Sequence, residues 1–106
     1  MTKTTIKSYG NKVIEELNSL KYQTEEFKII TSYTYGSDVK ILHYDIAYID
    51  YERTNAIIVV EVRTDSKTCG LYNFINISTW LNPYLLKRIN KALESLSQKS
   101  FIGVAE

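Results

Sequence analysis

Apolar positions along the chain follow two periods. From residue 5 to residue 20, Ile6, Val13, Leu17 and Leu20 recur at helical spacing and Ile14 widens the stripe, which predicts an amphipathic helix. Thr4, Thr5 or Ser8 would cap it, and Gly10 weakens its first turn. Residues 27–35 are rich in β-branched and aromatic types and run into Gly36-Ser37-Asp38, so they read as a strand ended by a turn. A second strand is expected over 39–50, then a hairpin turn in the polar run 51–55. Residues 56–62 are apolar except for Glu61, the look of a central strand covered on both faces. The stretch 71–77 alternates too loosely to choose between strand and packed loop. Asn82 as N-cap and Pro83 in the first helical position open a last helix that should run to about residue 97. Leu85, Leu86, Ile89, Leu93 and Leu96 form its apolar stripe, with Lys87, Arg88 and Lys91 on the opposite side. The apolar residues 101–105 suit a short final strand.

These elements amount to one α/β domain over 1–106: a helix, a three-strand, mainly antiparallel sheet with a central hairpin, a second helix and a short last strand. With 44% hydrophobic and 24% charged residues the chain is an ordinary globular one. Nine tyrosines against one proline and four glycines favour a strand-rich centre, since tyrosine buries a ring while keeping a hydroxyl for water or a partner. A net charge of +1 gives no general pull toward nucleic acid, so contact with phosphate would need a local patch or a metal. The single cysteine, Cys69, cannot form an internal disulfide and is expected as a bystander at a strand end. No signal-peptide core or long apolar run is present, so a soluble, cytoplasmic protein is expected.

Glu61 is the informative residue. A carboxylate within "AIIVVEVR" costs several kcal/mol if buried alone, so it must be paired, metal-bound or at an opening in the sheet. Alternation puts Glu61, Arg63 and Asp65 on one face, with Val60 and Val62 on the other. With the hairpin turn centred near Arg53, Asp45 would lie opposite Glu61. Two such carboxylates repel, and a hard divalent cation between them relieves the repulsion. The alternative is that Glu61 pairs with Arg63 or Arg53 at a solvent-facing edge and that Asp45 is simply an outward polar residue. His43 is taken as lying one position outside the strand face of Asp45 and as structural.

The order helix, strand, "HYDIAYID", turn, "AIIVVEVR", helix, short strand resembles the PD-(D/E)XK nuclease superfamily. Within it, residues 21–63 are most similar to the N-terminal nuclease domain of type I restriction enzymes and, less closely, to Holliday-junction resolvases. The resemblance implies a restriction-endonuclease-like core and a Mg²⁺ (or Mn²⁺) ion held by Asp45, Glu61 and the Val62 carbonyl. Glu16 would be an additional acid from the first helix, while Glu15 points farther from the core. Arg63 departs from the family's lysine: it can stabilise charge on a phosphate, but its pKa above about 12 bars it from acting as a base. Lys67 could substitute if the strand extends that far. The implied activity is metal-assisted hydrolysis of DNA, branched DNA included, by an endonuclease or resolvase-like homodimer, with Lys87, Arg88 and Lys91 contacting phosphates and Trp80 and Tyr84 stacking or packing nearby. The alternative is a catalytically inactive small binding or inhibitor protein, of a phage or mobile-element type, that recognises a protein or nucleic acid.

Overall fold

The computed structural model describes residues 3–64, 68–77 and 84–98. Six elements follow one another: α1 (Lys3–Ser19), β1 (Glu25–Tyr35), β2 (Ile41–Asp50), β3 (Arg53–Arg63), β4 (Thr68–Asn76) and α2 (Leu85–Gln98). The strands form one antiparallel sheet in chain order, β1-β2-β3-β4. The expected two helices, antiparallel sheet and central hairpin are therefore present. The sheet is one strand wider than expected, because most of the loosely alternating stretch 71–77 belongs to β4, which pairs along β3 from Ala56↔Asn76 to Arg63↔Thr68. Asp65, Lys67, Trp80, Asn82, Pro83 and the expected strand 101–105 lie outside the described residues.

Alternation decides which side of the sheet carries the core. Leu42, Tyr44, Ile46 and Tyr48 of β2 and Ala56, Ile58, Val60 and Val62 of β3 join Tyr9, Val13 and Leu17 of α1 and Leu85, Ile89, Leu93 and Leu96 of α2 in one buried cluster. Each such aliphatic side chain contributes about 1.5–3 kcal/mol by leaving water. α1 packs on β1, α2 on β4, and the helices touch each other. At Gly10 α1 comes close against the sheet: a Cβ there would stand 3.0 Å from Ile29 Cδ1 and from Tyr44 Cε1. This glycine, which the sequence marks as a weakness of the helix, is what lets the helix settle.

Both helices lie on the same side. The expectation of layers on both faces of β3 is thus corrected: among the described residues no helix covers the second face. The run 56–62 is apolar apart from Glu61 because Ile57 and Val59 carry apolar side chains onto that second face, where Val59 is buried.

Three bulges set what each face displays. Tyr51 and Glu52, with φ of 51° and 63°, form the two-residue turn between β2 and β3, and Asp50 pairs with Arg53 across it. Left uncorrected, this register would align each apolar face with the polar face of its neighbour, since a one-residue slip exchanges the faces. Asn55 is the extra residue that restores the phase: Ile49 pairs with Thr54 and Tyr48 with Ala56. Its amide Nδ2 donates to the Asp50 and Arg53 carbonyls at 3.3 and 3.0 Å, which holds the bulge shut. In β1 the extra residue is Ile30, between Ile29↔Ile46 and Thr31↔Asp45. Before it Phe27 and Ile29 face the helices, and after it Tyr33 and Tyr35 face the other way. In β4 the extra residue is Tyr72.

Candidate functional site on the open sheet face

The two-residue turn and the Asn55 bulge change the expected pairing. Glu61 lies across from His43, and Asp45 across from Val59, so the two acids are diagonal neighbours instead of opposite partners. They do share a face, as expected. His43 shares it too, two residues from Asp45 along the strand, which corrects its assignment to the other side.

His43 occupies the space between the acids. Its Nδ1 is 2.8 Å from Glu61 Oε2 and its Nε2 is 3.0 Å from Asp45 Oδ1. A carboxylate has no proton to give, so both bonds are complete only when the imidazole carries two protons. Burial opposes that charge, but the hydrogen bonds to Glu61 and Asp45, with the charges of both acids, outweigh it and raise the His43 pKa above 6.5. The Tyr33 ring stacks on the imidazole at 4.4 Å between centroids, and Tyr35 approaches it edge-on at 6.5 Å. The Tyr35 hydroxyl donates to Glu61 Oε2 at 2.7 Å, and this bond together with the negative charge pushes its pKa up to about 12. Glu61 is therefore held by His43 and Tyr35, where the sequence suggested Arg63, Arg53 or a metal.

His43 is buried, whereas Tyr33, Tyr35 and Tyr72 stand 47, 43 and 70% exposed. The arrangement is a charged, hydrogen-bonded floor with an aromatic rim. Farther along the same face, Ala47, Ile49, Ile57 and the exposed Ile75 continue it as an apolar strip.

The other expected site residues lie elsewhere. Val62 is fully buried on the helix side, paired with Leu42 and Cys69. Glu16 lies on α1, also on the helix side, with the sheet between it and Asp45 and Glu61. Arg63 is at the exposed end of β3, across from Ile41 and Thr68. Cys69 sits inside β4, one residue from its start.

The basic trio of α2 is divided. Lys87 and Lys91 are exposed on the helix layer, the far side of the sheet from the acids. Arg88 is turned inward to the buried Glu25, with Nη1 to Oε1 at 2.7 Å and Nη2 to Oε2 at 2.8 Å. The guanidinium also donates to the Leu20 carbonyl and lies 4.2 Å from the centroid of the Tyr22 ring. Burial alone would raise the Glu25 pKa, but the bonds from Arg88, the Tyr22 amide and the Tyr48 hydroxyl hold it below 4.5. Arg88 thus fastens α2 to the start of β1 and is not offered to a phosphate.

No family model, curated protein or solved structure matches the chain.

As they stand, the donors do not fit the hard cation that the nuclease resemblance implies. The oxygens of Asp45 and Glu61 that face each other are taken by an imidazolium, and Glu16 belongs to the other side of the sheet. Among the described residues no group of three or more His, Cys, Asp or Glu side chains is disposed to hold a metal ion. Nor is His43 placed as a general base, since both ring nitrogens are engaged and neither is left for a substrate.

Sequence reasoning missed His43, Tyr33 and Tyr35. Counting by twos from Asp45 would have found His43. Nothing in the sequence marks the Ile30 bulge that turns the tyrosines to the same face.

Proposed function

We propose that this chain acts by binding a partner protein through its open sheet face, the aromatic rim of Tyr33, Tyr35 and Tyr72 seating around the Asp45–His43–Glu61 floor. The observation that carries the reading is the double engagement of His43. It engages the facing oxygen of each acid and leaves the exposed tyrosines and the acids' second oxygens as the contact surface. Tyrosine rings around a desolvated, hydrogen-bonded centre are the residues that carry binding energy in protein interfaces.

Charge argues for protein over nucleic acid. Two carboxylates against one imidazolium leave the floor with a net negative charge, which repels phosphate. Asp45 Oδ2 and Glu61 Oε1 remain open to a donor, so an Arg or Lys side chain of the partner suits the centre. The lysines expected to touch phosphate lie on the far side of the sheet. A fourth strand also stands between Arg63 and α2, where the nuclease resemblance implies a helix directly after the third strand.

The test is affinity capture from the source cell with the wild-type chain and a Tyr33→Ser/Tyr35→Ser variant, followed by reconstitution with the purified captured protein. A partner whose affinity falls about tenfold or more in the variant, roughly 1.4 kcal/mol, supports the reading. Equal binding by both proteins overturns it. So does DNA cleavage in Mg²⁺ or Mn²⁺ that Glu61→Ala abolishes, which would restore the endonuclease reading.

A further inference from the structure

β1 is an edge strand, and its two halves are treated differently. In an antiparallel strand the N–H and C=O of one residue point to the same side, and successive residues alternate. Phe27 shows which residues point away from β2. Its N–H donates to Asn18 Oδ1 at 3.1 Å and its carbonyl accepts from Asn18 Nδ2 at 3.4 Å, so α1 closes the edge there.

The Ile30 bulge then shifts the alternation. Thr31, Tyr33 and Tyr35 pair inward with Asp45, His43 and Ile41, which leaves Ser32 and Thr34 with their backbone groups turned outward. Every residue from Ile30 to Tyr35 is exposed, and none is charged or proline. Proteins normally protect such an edge with lysine, proline or a covering element. Among the described residues the protection stops at Asn18 and Lys28.

We infer that this half-strand pairs with the same half-strand of a second copy, antiparallel about a two-fold axis through Tyr33, joining two sheets into one of eight strands. Only outward-facing residues can exchange hydrogen bonds, and this register matches Ser32 with Thr34 of the second copy and Thr34 with its Ser32. All four outward backbone groups of each copy find partners. The side chains agree as well: Tyr33 meets its own counterpart, Thr31 meets Tyr35, and the hydroxyls of Ser32 and Thr34 meet each other, all favourable cross-strand pairs. The paired stretch itself, residues 30–35, carries no charge. No like charges are opposed. The axis runs perpendicular to the sheet, so both open faces look the same way and form one continuous surface.

This assembly stands independently of the partner-binding reading, and it is tested by mass alone. Sedimentation equilibrium of the intact chain should give twice the 12.3 kDa chain mass at high concentration. Thr34→Pro, which an outward edge position tolerates because its N–H bonds no neighbouring strand, should keep the native circular dichroism and weaken association about tenfold or more. A wild-type chain that stays at single mass throughout, or a folded Thr34→Pro chain that associates undiminished, overturns the proposal. In a Cys69→Ser background, Tyr33→Cys should oxidise to a covalent dimer, since residues on the axis lie about 4.5 Å apart between Cα atoms, within disulfide reach. Lys28→Cys should not. Equal cross-linking of the two overturns the register even if Thr34→Pro fails to fold.

Discussion

Glu61 pairs across the sheet with His43, and its Oε2 receives both the His43 imidazole at 2.8 Å and the Tyr35 hydroxyl at 2.7 Å. A carboxylate in the midst of an apolar strand is thereby stabilised from within, by one side chain from each of the two strands on one side of it. The consequences for pH dependence and for the recognition surface can be measured separately.

Protonation of His43 is the first. Its folded pKa is raised above 6.5, so the stability it contributes is fully present below about pH 6.5 and is lost as pH rises through the folded value. The neutral ring can donate only one of its two hydrogen bonds, and the two carboxylates then face each other without a positive charge between them. Imidazole titration followed by NMR should show the raised value, and unfolding midpoints should fall over the same window above pH 6.5. In Asp45→Asn/Glu61→Gln the shift and the dependence should both shrink. A titration at the ordinary histidine value in the intact chain would contradict the bridged geometry.

Tyr35 gives a second titration from the same cluster. Its hydroxyl should ionise near pH 12 in place of 10.0, because losing the proton breaks the bond to Glu61 and sets two negative charges together. Glu61→Gln should bring the value back toward that of an ordinary tyrosine, read from the ring carbon shifts. Tyr35→Phe should leave the fold intact while raising the exposure of Glu61.

How far the sequence discloses this arrangement depends on what carries the information. Helix α1 and the body of α2 are written in apolar spacing, and the β2–β3 hairpin in its flanking runs, because periodicity is a local property. The shared face of Asp45 and Glu61 follows from parity alone. Their exact partners do not, since the register rests on one extra residue, Asn55, whose amide closes the bulge only in the folded hairpin. Arg88 is legible as a charge on a polar stripe. That it turns inward to Glu25, 63 residues earlier in the chain, is a tertiary fact that helical spacing cannot carry.

The Glu25–Arg88 pair predicts the largest loss of stability from a single charge. The Glu25 side chain is 1% exposed and that of Arg88 17%, so removing either partner leaves the other poorly solvated. Arg88→Met should cost about 3 kcal/mol in chemical denaturation, the lower part of the range for buried pairs because the guanidinium retains some water. The folded pKa of Glu25 is lowered, so its contribution is present above 4.5 and is lost as pH falls through the folded value. Arg88→Met should therefore be less sensitive to acid than the intact chain. A double variant, Glu25→Leu/Arg88→Met, should recover part of the loss, because the pair's attraction competes with its own desolvation.

The turn between β2 and β3 offers a stabilising change. Tyr51 and Glu52 both adopt positive φ, which costs roughly 1 kcal/mol for each residue that carries a Cβ. Two-residue hairpin turns of this hand favour Asn-Gly, because asparagine tolerates the left-handed region and glycine is unstrained there. Tyr51 is 75% exposed, so replacing its side chain removes little packing. Tyr51→Asn/Glu52→Gly should raise stability by about 1 kcal/mol, seen as a higher denaturation midpoint with an unchanged slope, which shows that the surface exposed on unfolding is the same. The NMR shift of His43 should not move, because the Asn55 bulge still fixes the register between the turn and the cluster. A displaced His43 signal would mean that the turn residues themselves set that register, and that Asn55 follows them.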